Sequence, residues 1–484
     1  MEKQAYMKTK EEILKKIKSI IKENNIAIYY LAQLSGINRS TLQKSLSGIR
    51  YLNLRQFNQL LNVLPITTIE KDILYKNYLE NFYSQDQIKC IDTIMAIFDI
   101  MSDNLPSTVK KTYISTSNID FKNITCKSAI IEAIKQVSSQ ITRNKSHTDI
   151  CVYIPFYDDF LVSSMGKCLN SNEFDVSISI LCELLKPNNL RQQDNSLIFN
   201  NILPLLISSD LYSIAYIYVD SFFYENHLTS YPYYVAFPEI AFLLNSRLDS
   251  VIVVTDKNSI NNMYTTHYQS IKKANLLNVS RFNITECVQH LMTSQVNNYM
   301  YAIRYEPCLT GFVPINMYAD LINDDAPIKA QFLKTIEKRL TTMKNISKNY
   351  CLFNAESISD FAQTGRLMVY DHPYLNRCNL EQRIIILQNI INSIDDSNIV
   401  LRAYDNKNLN MPKEFEIANI QNLYNLDIMV YQENDVKLID IHEPFISKYF
   451  IDFIHNVLDT PIVYTHEDTK KLILDNIKGL KEKL

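Results

Sequence analysis

The chain of 484 residues has no tryptophan and only six glycines. Four of those, Gly166, Gly311, Gly365 and Gly479, lie too far apart to build a G-x-G-x-x-G turn or a phosphate-cradling loop. Nucleotide binding through a glycine-rich loop is therefore disfavoured. No run of about 18 apolar residues occurs, which argues against a membrane span. The opening stretch "MEKQAYMKTKEEILKKIKS" is charged throughout and has no apolar h-region, so a secretory signal is not expected. The nine cysteines include no C-x-x-C pair, and the eight histidines form no H-x-x-x-H or H-E-x-x-H. These absences argue against a disulfide framework and a metal cluster, and suit reduced thiols in a cytoplasm. No G-x-S-x-G elbow is present either. No catalytic residue, cofactor or metal is expected, and the chain is not expected to be an enzyme.

With 46% hydrophobic and 21% charged residues, the composition is that of a globular chain, and the length suits two to four domains. The charge is uneven. Up to Ile66 there are eleven Lys and Arg, four Glu and no Asp, a net +7, which leaves −10 on the remainder. A basic head on an acidic body suggests a polyanionic partner for the head alone; the alternative is a solvated lysine-rich helix face.

Two of the scarce glycines fall twelve residues apart in "LAQLSGINRSTLQKSLSG", Leu31 to Gly48. Ile28, Leu31, Ala32 and Leu34 predict one face of a short helix, and Gly36 a left-handed stop. Asn38 is placed to cap a second helix with Leu42 and Leu46 on its inner side, which Gly48 ends. Leu54, Phe57, Leu60, Leu61 and Leu64 predict the next amphipathic helix. Two short helices around a tight glycine turn make a helix-turn-helix, and the outer face of the second decides what it touches. That face carries Arg39, Ser40, Gln43, Lys44 and Ser47, with no acidic group to repel phosphate. Arg50, Tyr51 and Asn53 follow where backbone phosphates would lie. The alternative is a helical hairpin used for protein contacts.

The stretch resembles the Cro/repressor-like, or XRE-type, helix-turn-helix family over about residues 10–65, with Ala32, Gly36, Ile37, Ser40–Thr41 and Gly48 matching its pattern. The resemblance implies that Asn38 to Ser47, Thr41 included, form the recognition region.

Beyond Ile66, a capping box at Thr67 and Glu70 and a second at Ser84 and Gln87 predict a helical pair over 67–105. "KSAIIEAIKQVSSQITRNK" predicts a helix. From Asp149 the texture changes to short β-branched and aromatic runs such as "ICVYIP", "SIAYIYV" and "VIVVT", with helical runs between them. From about Asn298 it recurs in "YMYAIRY", "YCLF" and "NIVLRAY". "SLIFNNILPLLISSDLYSIAYIYV" parallels "QRIIILQNIINSIDDSNIVLRAY" 186 positions on, and Val251 onward parallels Val436 onward, offset 185. Cys151 and Cys351 also open similar runs. The alternative is two unrelated stretches sharing a common pattern.

The sequence therefore predicts a multidomain chain: an all-α helix-turn-helix over 1–66, a helical connector over 67–105, and a mixed α/β body readable as two related α/β subdomains, 106–297 and 298–484. Its expected function is a cytoplasmic, sequence-specific DNA-binding transcriptional regulator of bacterial type, with a sensing or dimerisation body. Double-stranded DNA is the expected partner, with a homodimer setting the spacing of two heads and a small-molecule or peptide effector acting on the body. One alternative is an interaction protein of a mobile-element or defence system; another is an enzyme with a DNA-targeting head. His442, Glu443 and Asp256, each beyond a strand end, are more readily turn or cap residues than catalytic ones. Cys151 and Cys351 are expected in the core.

Overall fold

The structure, a computed structural model, describes residues 10–49, 54–80, 85–103, 126–144, 147–156, 176–186, 195–222, 230–283, 299–322, 348–369, 375–396, 398–419, 424–432 and 435–484, with a few single positions between them. These form two units, each built from separated stretches of chain. Unit 1 takes residues 1–95, 298–413 and 449–484; unit 2 takes 96–297 and 414–448. The architecture is mixed α/β with a helical N-terminal region. No helix among the described residues is long and apolar enough to cross a membrane.

Unit 1 begins with five helices, α1 (Lys10–Glu23), α2 (Ile28–Ser35), α3 (Arg39–Leu46), α4 (Leu54–Val63) and α5 (Thr68–Glu80). Their apolar faces share one core, in which Ile13, Ile17, Leu31, Leu42, Phe57, Leu60, Leu61 and Tyr78 are all but inaccessible. Helix α5 belongs to that core. Leu74 and Tyr78 pack into it, Tyr78 stacks on Phe57 with ring centroids 3.7 Å apart, and its hydroxyl donates to the Leu52 carbonyl at 2.8 Å. The boundary expected at residue 66 leaves α5 outside this core, because the packing that recruits α5 is long-range and has no local signal. The Thr67 capping box forms as expected: the Thr67 N–H donates to Glu70 at 3.0 Å and the Glu70 N–H to Thr67 Oγ1 at 3.2 Å. Ser84 of the second box lies outside the described residues. Helix α6 (Gln85–Asp103) follows.

The rest of unit 1 is a parallel sheet of β8 (Tyr299–Arg304), β9 (Lys348–Asn354) and β10 (Ile399–Tyr404), in the order β10-β9-β8. These strand numbers run in chain order through both units. A 3-10 turn at Leu309–Phe312 and a short helix, Ile315–Leu321, follow β8, while the helices Glu356–Thr364 and Leu380–Ile394 cross from β9 to β10. The C-terminal helix is His466–Lys481. It buries Ile473, Ile477 and Leu480, and its Thr469 Oγ1 accepts from the Ala403 N–H on β10 at 3.1 Å.

Unit 2 contains helix Lys127–Asn144 and the strands β1 (Thr148–Tyr153), β2 (Val176–Leu185), β3 (Tyr212–Val219), β4 (Tyr233–Ala236), β5 (Ala241–Leu244), β6 (Val251–Val254), β7 (Asn275–Asn283), β11 (Phe415–Asn419), β12 (Leu426–Tyr431) and β13 (Asp435–Ile441). Within the unit they follow the order β11-β12-β13-β7-β3-β2-β1-β4-β5-β6. Strands β1 to β3 are parallel, and β2 is buried at nearly every position, as a strand covered on both faces must be. The helix Asn195–Ser208 crosses from β2 to β3, anchored where Asn195 exchanges two hydrogen bonds with the Leu185 backbone. The span 298–484, expected as one subdomain, is divided between the units, because the meander β11-β12-β13 pairs through β13 with β7.

Candidate nucleic-acid interface

The segment from α2 to α3 is shaped by local chemistry. Gly36 ends α2 at φ +67°, ψ +11°, the left-handed region that a Cβ disfavours. A Cβ there would meet nothing within 4 Å, so the backbone conformation alone calls for glycine. Ile37 turns inward, 4% exposed. Asn38 caps α3, its Oδ1 accepting from the Ser40 N–H at 2.9 Å. At the far end Gly48 has φ +82°, and the Ile49 N–H reaches the Lys44 carbonyl at 3.0 Å, closing the last turn of α3.

Position by position, α3 divides into two faces. Leu42, Ser45 and Leu46 are buried, Thr41 is half-buried, and Arg39, Ser40, Gln43 and Lys44 are exposed. No acidic residue lies in its first turn. The Arg39 guanidinium stands 5.9 Å from the ring centroid of Tyr29, an aromatic plane that steers the cation. Exposed lysines of α1, among them Lys15, Lys16, Lys18 and Lys22, add positive charge to the same module.

Not every expected site residue is arranged for contact. The Asn38 oxygen is engaged in capping, and the exposed Ser47 donates its hydroxyl to the Lys44 carbonyl at 3.0 Å. Arg50, Tyr51 and Asn53 lie outside the described residues. Leu34, expected on the inner side of α2, is 51% exposed, and Ser35 takes the inner place. The reason is helical phase: Ser35 follows Leu31 by four residues and comes back to the same face, whereas Leu34 falls short of it. Ser35 spends its hydroxyl on the Leu31 carbonyl at 2.7 Å. Sequence reasoning also passed over Tyr29 and Tyr30, 63% and 55% exposed on α2. Their signal was present: two bulky residues directly before the buried pair Leu31–Ala32 cannot share its face.

The strand-end residues weighed for catalysis serve as caps and pairs. Asp256 accepts from the Ser259 N–H at 2.8 Å at the start of helix Lys257–Ile271, and that bond holds its carboxyl below the usual range. Glu443 is fully buried and accepts from the Ile446 N–H at 2.7 Å and the Tyr218 hydroxyl at 3.0 Å. His442 pairs with Asp440 at 2.8 Å. Cys151 and Cys351 are buried, and burial pushes the Cys151 thiol up to about 12. Another buried imidazole, His267, bonds Tyr234 at 2.8 Å and Ser179 at 2.9 Å; burial lowers its pKa to about 4, so it is neutral at pH 7. Among the described residues no group of three His, Cys, Asp or Glu could hold a metal ion.

No protein-family model matches the chain, and no curated protein matches it. Among solved structures, the chain is similar to a polyphosphate kinase from Porphyromonas gingivalis at 10% identity and a TM-score of 0.20, over 67% of this chain. The match spans about half of that protein's length, 48%. The expectation of a transcriptional regulator is corrected on this finding: the similar structure is an enzyme and not a regulator, and a regulator is not carried further. At that TM-score the likeness carries no chemistry over to this chain.

Proposed function

We propose that the N-terminal helices form a helix-turn-helix module that seats α3 against double-stranded DNA. The observation that carries this reading is the outward face of α3, where Arg39, Ser40, Gln43 and Lys44 are exposed together with no acid among them. Arginine and lysine suit guanine edges, glutamine suits adenine, and serine suits several partners. The α1 lysines would meet phosphate and release counterions. The resemblance of Leu31–Gly48 to the XRE-type pattern supports the same reading. A module with so few base-reaching side chains gains from pairing, so the reading includes a homodimer with two heads on one duplex. Cys90, Cys151 and Cys182 form no disulfide, which suits a reducing compartment, and we place the chain in the cytoplasm.

The reading extends to two related α/β halves. Helix Asn195–Ser208 leads into β3 as helix Leu380–Ile394 leads into β10, and β6 leads into helix Lys257–Ile271 as β13 leads into helix Pro444–Val457. Each half would hold three parallel strands, then a three-stranded antiparallel meander, then a helix. The likeness of Cys151 to Cys351 does not fit this scheme, since one lies in a first strand and the other in a second.

The test is fluorescence anisotropy of the full chain with a labelled duplex of mixed sequence at low and moderate salt, beside single-stranded DNA. Binding that favours the duplex, weakens with salt and is lost in an Arg39→Ala/Lys44→Ala double variant is the expected result. Absence of duplex affinity at low salt, or an undiminished affinity in the double variant, overturns it.

A further inference from the structure

Unit 1 holds a cavity of about 740 Å3 over one face of its parallel sheet. Its floor is made by alternate residues of the three strands: Met300 and Arg304 from β8, Cys351 from β9 and Leu401 from β10. The 3-10 turn Leu309–Phe312 and helix Leu380–Ile394 contribute its walls. The volume falls in the range of small-molecule sites, roughly 300–1,000 Å3.

The lining has a definite chemistry. Arg304 is only 8% exposed yet lines the cavity, placing a permanent, planar, five-donor cation on an otherwise apolar floor. Asn349, at the start of β9, has a buried Oδ1 with no hydrogen-bond partner among the described residues. A buried amide acceptor left so in a cavity wall is a place where a ligand N–H would supply the missing hydrogen bond. Cys308 also lines the space, at φ +50°, ψ +55°, a left-handed conformation that residues with a Cβ seldom adopt and that gathers at ligand sites. The acidic lining residues, Asp396 and Glu337, are solvent-exposed. The cavity is thus cationic at its floor and anionic where it meets solvent.

We infer that this cavity binds a short peptide, its free C-terminal carboxylate on Arg304, its amide groups against Asn349 and its amino end toward Asp396 and Glu337. The carboxylate answers the guanidinium, for which a two-pronged anion is the natural partner. An apolar C-terminal side chain would lie on Met300 and Leu401. The volume admits roughly three or four residues. This inference does not rest on the DNA-binding reading.

The experiment is calorimetric titration of the full chain with a pool of apolar tri- and tetrapeptides, prepared with free termini, with amidated C-termini and with acetylated N-termini. Free-ended peptides are expected to bind, amidation to weaken binding about tenfold or more, and acetylation to weaken it less. Arg304→Gln should match the loss on amidation, and Asn349→Leu should weaken binding with the thermal midpoint retained. If Arg304→Gln fails to fold, the amidated peptides on the unaltered chain still decide. Failure of every peptide to bind at millimolar concentration overturns the inference. So does equal binding of free and amidated forms, or single amino acids binding as tightly as the peptides.

Discussion

Asp427 on β12 and Asp440 on β13 stand directly opposite each other, a pair of carboxyl groups within one antiparallel ladder. Asp427 is 4% exposed, and its Oδ1 has no hydrogen-bond partner among the described residues. Burial, followed by the charges of Asp440 and Glu416, pushes its pKa up to about 7. The folded state therefore holds a proton that the unfolded state, near pH 4, has already released. Stability from this group is complete below about pH 4 and is lost as pH rises to about 7, by an amount on the order of 4 kcal/mol. His442 Nε2 lies 2.8 Å from Asp440 Oδ2, so a His442→Gln variant is the control for any contribution from that pair. Urea denaturation at pH 5 and pH 8 should show a clear loss in the unaltered chain and a much smaller one in Asp427→Asn. An unchanged slope in that variant would falsify the assignment.

Two glycines should respond differently to the same change. Gly36 and Gly365 both have positive φ, +67° and +72°, but a Cβ on Gly36 meets open space whereas one on Gly365 collides with the Cys378 carbonyl and the Arg383 guanidinium. Gly36→Ala should cost about 1–2 kcal/mol, from the backbone alone. Gly365→Ala should cost a further ~1–3 kcal/mol, because Arg383 is held on the Cys378, Ala362 and Gln363 carbonyls and cannot move away without losing them. Thermal melts of the two variants make the comparison. Equal losses would count against the packing around Gly365.

The place of α5 in the N-terminal core can be measured on fragments. A fragment ending at residue 80 should melt cooperatively, and one ending at residue 66 should be markedly less stable, having lost Leu74 and Tyr78. Within the longer piece, Tyr78→Phe should cost about 1 kcal/mol, the hydrogen bond to Leu52, and Tyr78→Ala about 3–5 kcal/mol. Equal stability of the two fragments would mean that α5 only leans on the module.

On DNA the side chains of α3 should separate by role. Arg39→Ala and Gln43→Ala should each cost about 1–3 kcal/mol on a preferred duplex and relax its sequence dependence. By contrast, removing the charge of an exposed α1 lysine, as in Lys18→Ala, should weaken all duplexes alike and reduce the salt slope by about 1. Ser47→Ala, which loses a bond inside the helix end, should leave both readouts nearly unchanged. A Gln43→Ala chain with the same affinity and the same base preference would remove that residue from the interface.

The parts of the molecule legible in the sequence are those decided within a few residues. Gly36, Asn38 and Gly48 announce their turns and cap because the φ preference of glycine and the short reach of an asparagine oxygen act locally. The apolar runs of β1 to β6 announce themselves by their short, near-continuous β-branched and aromatic residues. Strand β7 did not: "NLLNVSRFN" is polar and largely exposed, and it is a strand because β13 and β3 supply its ladders. Strand β11 was hidden for a related reason, since Glu416 interrupts its apolar character and finds the Tyr431 hydroxyl at 3.0 Å across β12. Cavity-lining Arg304 reads in sequence only as the end of "YMYAIR"; that it is enclosed depends on segments up to a hundred residues away.

The separated stretches that make up unit 1 bear on how the chain is made. Strands β8 to β10 leave the ribosome well before the helix His466–Lys481 is translated, yet that helix and the Val463–Tyr464 segment before it cover the outer edge of β10, through Thr469 to the Ala403 N–H and from the Tyr464 N–H to the Ala403 carbonyl at 2.7 Å. Until they emerge, β10 offers an uncovered strand edge to any neighbouring nascent chain. A stop codon placed before residue 463 would therefore be expected to send the product toward inclusion bodies or chaperone capture, while leaving every residue of α3 in place.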